Sequence, residues 1–173
     1  PGASTFIVKM IADRKTLKLL GIQVLGKGAV DKMVDIAATA IYMDAKLTDL
    51  EDMDLAYAPP FSTAIHPFVN TVNILMNKIS GNFETFTPAE YAAGKAEGYK
   101  VVDVCMQPTI TTAPYVDLVK INGIVDGLDP EEKILLVCNR GKRAYMSQNR
   151  LKYYGYKNTK VLEGGTIFNG TEY

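Results

Sequence analysis

The chain has 173 residues, 47% of them hydrophobic, and its 19 lysines and arginines are balanced by 19 aspartates and glutamates. That is the composition of a globular protein of about one to two domains, and it excludes both a disordered tail and a polycation. With the charges interspersed and no basic run, nucleic acid and acidic membrane surfaces are not expected as partners, whereas small molecules or other proteins are.

No apolar segment reaches the roughly 20 residues needed to cross a bilayer, and "PGASTFIVKM" lacks the regions of a signal peptide, so a cytoplasmic protein is expected. Cys105 and Cys138 are the only cysteines. They are too few for a disulfide scaffold or a cysteine-rich zinc site, and no metal centre is expected.

In chain order, "TFIVKMIA" alternates as a strand does, "DRKT" turns the chain, and "LKLLGIQVLGKG" reads as a second strand of an antiparallel hairpin. "AVDKMVDIAATAIYMDA" predicts a helix with Val30, Met33, Val34, Ala37, Ala38 and Ile41 on one face. The acidic connector "KLTDLEDMDLAYAPP" follows, and its Pro59-Pro60 pair forbids a continuing helix. Asp49, Glu51, Asp52 and Asp54 of this connector read as solvated charge rather than a metal cluster. "HPFVNTVNILMNKI" predicts a closing helix with Phe68, Val72, Leu75 and Ile79 inward. His66, the only histidine, stands at its entry without ligand partners at helical spacing, which suits a structural or interfacial role.

The rhythm changes near "KISGNFETFTP". "FETF" reads as a short strand, and Thr87 caps a helix over "PAEYAAGKAEG" with Glu90 three residues on. "KVVDV" reads as a fully apolar strand. A helix is expected from Val116 to Leu128, then the strand "KILLVC", a helix from about Lys142 to Tyr154, and the strand "TKVLE". Gly164-Gly165 and the end "NGTEY" read as a loop and a frayed terminus. Strands that alternate with helices and carry unalternated apolar runs predict a parallel sheet covered on both faces.

Chemistry concentrates in "LLVCNRGKRAY". Cys138 ends an apolar strand, where open parallel sheets bind ligands. The backbone of Asn139, Arg140, Gly141 and Lys142 can wrap N–H groups around its sulfur, and the next helix points its positive end there. Arg140, Lys142 and Arg143 add cations, so the surroundings favour thiolate over thiol and predict a reactive nucleophile. Cysteine-dependent phosphatases place five residues between Cys and Arg. Here Cys138 and Arg143 are separated by four, a tighter cradle suited to a sulfur atom, and a persulfide is an anion that the same N–H groups can hold. Cys105 also ends a strand, which makes it a candidate resolving thiol facing Cys138.

On these motifs the segment from about Phe83 to Gly170 resembles a rhodanese domain: "FTPAEY", "VVDV", the Cys-x-x-Gly-x-Arg loop "CNRGKRA", and "YGYKNTKVLEGG". The resemblance implies that Cys138 carries the persulfide and that Arg143 holds the loop or substrate. The family's Asp-Val-Arg is "DVC" here, its His-Ile-Pro-Gly stretch is replaced by "TITTAPYVDL", and the Trp after its double glycine is absent.

"KLLGIQVLGKGAVDKMVDIAATAI" and "DLAYAPPFSTAIHPFVNTVNILMNK" resemble the dimerisation domain of pyridine nucleotide-disulfide oxidoreductases, in the branch of coenzyme A disulfide reductases and NADH oxidases. This implies a homodimer, with Tyr57 of "YAPPFS" reaching toward a disulfide substrate and Phe61 beside it; His66 departs from the family's Lys-Asp pair. The expected architecture is an α+β dimerisation domain with an antiparallel sheet and helices over residues 1–79, followed by an α/β rhodanese-like domain with a mainly parallel sheet over 83–173. The family implies FAD and NAD(P)H in the intact parent, with coenzyme A as a further ligand. No G-x-G-x-x-G is present, "LGKGAV" having the wrong spacing, so neither cofactor is expected on this chain. Since "PGAS" falls inside the family's domain, a carboxyl-terminal fragment is expected. It would serve a disulfide or polysulfide reductase, with sulfane sulfur or a disulfide as substrate. The competing readings are a catalytically silent dimerisation module and a small cysteine-dependent phosphatase or arsenate reductase.

Overall fold

Alternating apolar side chains build the first hairpin: β1 (Phe6–Ala12) pairs antiparallel with β2 (Leu19–Gly26). In the computed structural model, which describes residues 4–169, the chain divides after Ser80 into two units. The Asp13 carboxylate closes the β1–β2 turn by accepting from the N–H groups of Lys15 and Thr16 at 2.9 and 2.6 Å. Phe6, Val8, Met10, Ile22 and Val24 pack into the core of this unit, while Ile7 and Leu25, paired across the strands, are exposed on the other face.

Helix α1 (Val30–Tyr42) covers the inner face of the hairpin. Its buried residues are Met33, Ala37 and Ala40, whereas Val34, Ala38 and Ile41 are exposed. The expected face is thus rotated. The helix has two apolar stripes, and the hairpin takes only the one carrying the small alanines, which allow close approach. Residues 46–60 are not all connector: α2 (Leu47–Leu50) buries Leu47 and Leu50. Asp49 of this turn accepts from Lys46 N–H at 2.8 Å, which is capping work. Helix α3 (Pro67–Ile79) buries Phe68 and Val72 and half-buries Leu75 and Ile79, the face that the periodicity predicts. His66 caps it, its Nδ1 accepting from Phe68 N–H at 3.2 Å. Burial, reinforced by the Lys32 charge, holds the imidazole below its ordinary value.

The second unit is a four-stranded parallel sheet in the order β3-β6-β5-β4, from β3 (Thr85–Phe86), β4 (Lys100–Asp103), β5 (Ile134–Val137) and β6 (Thr159–Leu162). Every residue of β5 is buried, as an apolar central strand requires, and each large aliphatic side chain there contributes about 1.5–3 kcal/mol. Helix α5 (Lys142–Tyr153) follows β5 and packs Ala144 and Leu151 into the core.

Three expectations fail here. Helix α4 (Pro88–Ala92) has the Thr87 capping box with Glu90 but ends at Ala92, and Gly94 turns out at φ 77°. Val116–Leu128 is not a helix. Only the 3-10 turn Leu118–Lys120 forms; Ile121 is extended and Gly127 takes φ 76°. The apolar residues of this segment, Val116, Leu118, Ile121 and Leu128, reach the core from a loop instead. Gly164-Gly165 is not simply a loop, because Gly165 starts the short helix α6 (Gly165–Asn169). Of "NGTEY", Asn169 belongs to α6, and 170–173 lie outside the described residues.

Candidate active site

Cys138 follows directly on β5 and is 4% exposed. Gly141, with φ 94°, turns the chain into α5. Gly141 N–H then donates to Cys138 Sγ at 3.1 Å, and Ala144 N–H, one of the otherwise unpaired donors of the first helical turn, donates at 3.4 Å. The positive end of α5 therefore faces the sulfur. Of the residues chosen from the sequence, Asn139, Arg140 and Lys142 are exposed and Gly141 is buried. The loop thus contributes backbone toward the thiol, while its lysine and first arginine project to solvent.

Arg143 turns a different way. Its Nε donates to Val104 O at 3.0 Å, and one terminal nitrogen pairs with Asp117 Oδ1 at 3.0 Å. Asp117 also caps the 3-10 turn by accepting from Val119 N–H. The guanidinium thereby ties the start of α5 to the backbone beyond β4 and to the segment after it.

Cys105 lies at the same end of the sheet as Cys138, and both side chains belong to one core cluster. Its thiol donates to Asn139 Oδ1 at 3.1 Å and accepts from the Thr109 hydroxyl at 3.1 Å. Burial pushes this thiol up to about 11; the Thr109 hydroxyl works the other way, and the Asp103 carboxylate and Cys138 add to the rise. At neutral pH Cys105 is therefore a protonated donor that holds the side chain next to Cys138.

Sequence reasoning missed Asp103, having read "KVVDV" as wholly apolar. The carboxylate is 0% exposed. It accepts from the backbone N–H groups of Cys105 (2.8 Å), Thr109 (2.6 Å) and Ile110 (2.9 Å), and more weakly from the Thr109 hydroxyl (3.4 Å). Burial raises its proton affinity, but the N–H groups of Thr109, Cys105 and Ile110 outweigh that and hold it below 3.8. A lone charge inside an apolar strand was the available signal, since a buried carboxylate must organise donors around itself.

Tyr57 and Phe61 are 55% and 87% exposed, in and beside a turn where Phe61 N–H and Ser62 N–H both donate to Ala58 O. They belong to the first unit. The glycine-rich turn before α1 follows a strand of an antiparallel hairpin, not the parallel strand of a dinucleotide fold.

Residues 1–68 match the model of the pyridine nucleotide-disulphide oxidoreductase dimerisation domain, and residues 83–166 match that of the rhodanese-like domain. The chain is 33% identical over 67 residues to a coenzyme A disulfide reductase of Staphylococcus epidermidis, covering 39% of this chain and 15% of that protein. It is 33% identical over 75 residues to the NAD(P)H coenzyme A polysulfide/persulfide reductase of Pyrococcus horikoshii, covering 43% of this chain and 17% of that one. The reduced CoADR-RHD of Bacillus anthracis superposes with a TM-score of 0.87 at 28% identity, covering 98% of this chain and 31% of the other. The NAD-dependent persulfide reductase of A. fulgidus gives 0.82 at 28% identity, covering 94% and 30%. The matches thus span about a sixth of the length of these curated relatives and under a third of these solved chains. The chain joins a pyridine nucleotide-disulphide oxidoreductase dimerisation domain to a rhodanese-like domain.

Proposed function

We propose that this chain is the dimerising and sulfur-carrying part of a longer, FAD- and NAD(P)H-dependent coenzyme A disulfide or polysulfide reductase, and that Cys138 carries sulfane sulfur as a persulfide. The observation that supports this is the convergence of Gly141 N–H and Ala144 N–H on Cys138 Sγ at the head of α5. These donors favour an anion there, whether thiolate or persulfide.

With thiosulfate, the Cys138 thiolate attacks the outer sulfur. A Cys138 S–S bond forms, the donor's S–S bond breaks, and sulfite leaves with the electron pair. An acceptor thiolate then takes the outer sulfur and Cys138 returns as thiolate. Arg143, engaged by Val104 O and Asp117, holds the loop rather than acting as a free substrate clamp. Cys105, kept protonated, braces Asn139, and in a resolving role it would act only after deprotonation.

The first unit supports a homodimer. Outside its core it exposes Ile7, Ile11 and Leu25 on the hairpin and Val34 and Ile41 on α1, apolar surface suited to a twin. Tyr57 and Phe61, both exposed, are the side chains we propose to meet a partner or a disulfide substrate.

The test is intact-mass spectrometry after incubation with thiosulfate or polysulfide, beside Cys138→Ser. A gain of about 32 Da, one sulfur, on the wild type alone supports the persulfide. No gain with either donor leaves the silent dimerisation module. Phosphatase turnover without sulfur gain revives the phosphatase reading, which the four-residue spacing from Cys138 to Arg143 disfavours.

A further inference from the structure

The double glycine after β6 does more than end a strand. Gly164 and Gly165 take φ 75° and 58°, two successive left-handed residues, and the backbone that follows meets the Cys138 loop. Thr166 N–H donates to Cys138 O at 3.1 Å and Ile167 N–H donates to Asn139 O at 3.2 Å. These are first-turn donors of α6, which its own helix cannot use. In a planar trans peptide the C=O and the following N–H point in opposite directions. Drawing the carbonyls of Cys138 and Asn139 toward α6 therefore turns the N–H groups of Asn139 and Arg140 away from it.

Gly165 permits this contact. A Cβ built there would overlap Cys138 O and stand 2.6 Å from the carbonyl carbon and oxygen of Asn139. Those are backbone atoms, which cannot swing aside as a flexible side chain does. Any larger residue must push α6 off the loop or the loop off its position.

We infer that Gly165 is a positioning residue for the sulfur site: its missing side chain lets α6 clamp the carbonyls of Cys138 and Asn139, which fixes the loop with its N–H groups free for the sulfur anion. The inference rests on the reading of Cys138 as the nucleophile and adds a residue far along the chain that sets the loop's orientation.

The experiment compares Gly165→Ala with Gly155→Ala in the full chain. Gly155 has φ 95°, so alanine carries similar backbone strain there, but a Cβ meets nothing within 4 Å. Two quantities are read: the pH profile of Cys138 alkylation by iodoacetamide, and sulfur transfer from thiosulfate to cyanide. In Gly165→Ala, alkylation at neutral pH slows by about tenfold because the displaced loop no longer aims its N–H donors at Cys138 Sγ, and kcat falls by about the same factor. Gly155→Ala leaves both unchanged. Wild-type behaviour of Gly165→Ala, or equal losses in Gly155→Ala, overturns the inference. Should Gly165→Ala fail to fold, hydrogen exchange on the wild type decides: slow exchange at Thr166 and Ile167 amides upholds the clamp, and exchange at free-peptide rates overturns it. A wild type that takes up no sulfur refutes the proposed function, while the alkylation arm still judges the clamp.

Discussion

Asp103→Asn is the perturbation with the clearest magnitude. The carboxylate receives three backbone N–H groups and a hydroxyl in a fully buried position. An amide sits best with its NH2 where Oδ1 was, facing Cys105 N–H. That bond becomes a clash of two donors, and the bonds at the remaining oxygen fall from charged to neutral strength. A hydrogen bond to a charged group contributes about 1.5–3 kcal/mol, and a buried donor left unpaired costs about 1–3, so the expected loss is about 2–4 kcal/mol. This is a large share of an ordinary domain's stability of about 5–15 kcal/mol.

Both cysteines lie in the second unit and are buried. Exposure of the Cys105 thiol during urea unfolding, read by pulse alkylation and peptide mapping, therefore reports that unit alone. The midpoint falls by about 1–2 M urea. The pH dependence gives an independent check. The folded-state carboxyl is held below its ordinary value of 3.8, so its contribution is fully present above 3.8 and is lost as pH falls through the folded value. The asparagine variant lacks this branch of the acid unfolding curve. A midpoint shift under about 0.3 M, or an acid branch identical to wild type, would refute the account of Asp103.

Since burial pushes Cys105 up to about 11, brief alkylation at neutral pH labels Cys138 first, and Cys105 labels only at alkaline pH or after unfolding; peptide mapping reads the order. Arg143→Lys keeps the charge but cannot bond Val104 O and Asp117 together, so it costs about 1 kcal/mol of stability and lowers sulfur transfer, measured by melting and by turnover. His66 is held below 6.5, so the stability it brings to the first unit is present above 6.5 and lost as pH falls toward the folded value. His66→Asn keeps a capping acceptor without titrating and flattens that decline in acid-unfolding curves followed at α3 amides.

Local signals found what lies within a few residues of its cause. The Thr87–Glu90 capping box, the inward face of α3 and the apolar run of β5 ending at Cys138 are all set by spacings of one to four residues. The loop after Cys138 was legible for the same reason: glycine and cations stand beside the sulfur in the chain. Its finer geometry was not, because the sequence names the cations but the structure directs a backbone N–H group at the sulfur and sends Arg143 to Val104 and Asp117.

What tertiary structure alone decided involves partners far apart in sequence. The apolar residues from Val116 to Leu128 fit a helix by spacing, yet the core takes them from a loop whose ends are held by Asp103 backbone and the Tyr156 hydroxyl. Of the two apolar stripes on α1, the hairpin chose the alanine-bearing one, and nothing within the helix records that choice. Gly165 reads as an ordinary loop glycine until the backbone of Cys138, 27 residues earlier, is laid against it. A sequence determines local conformation through neighbouring side chains and backbone bonds, whereas close approach between distant segments exists only once the sheet has brought them to one edge.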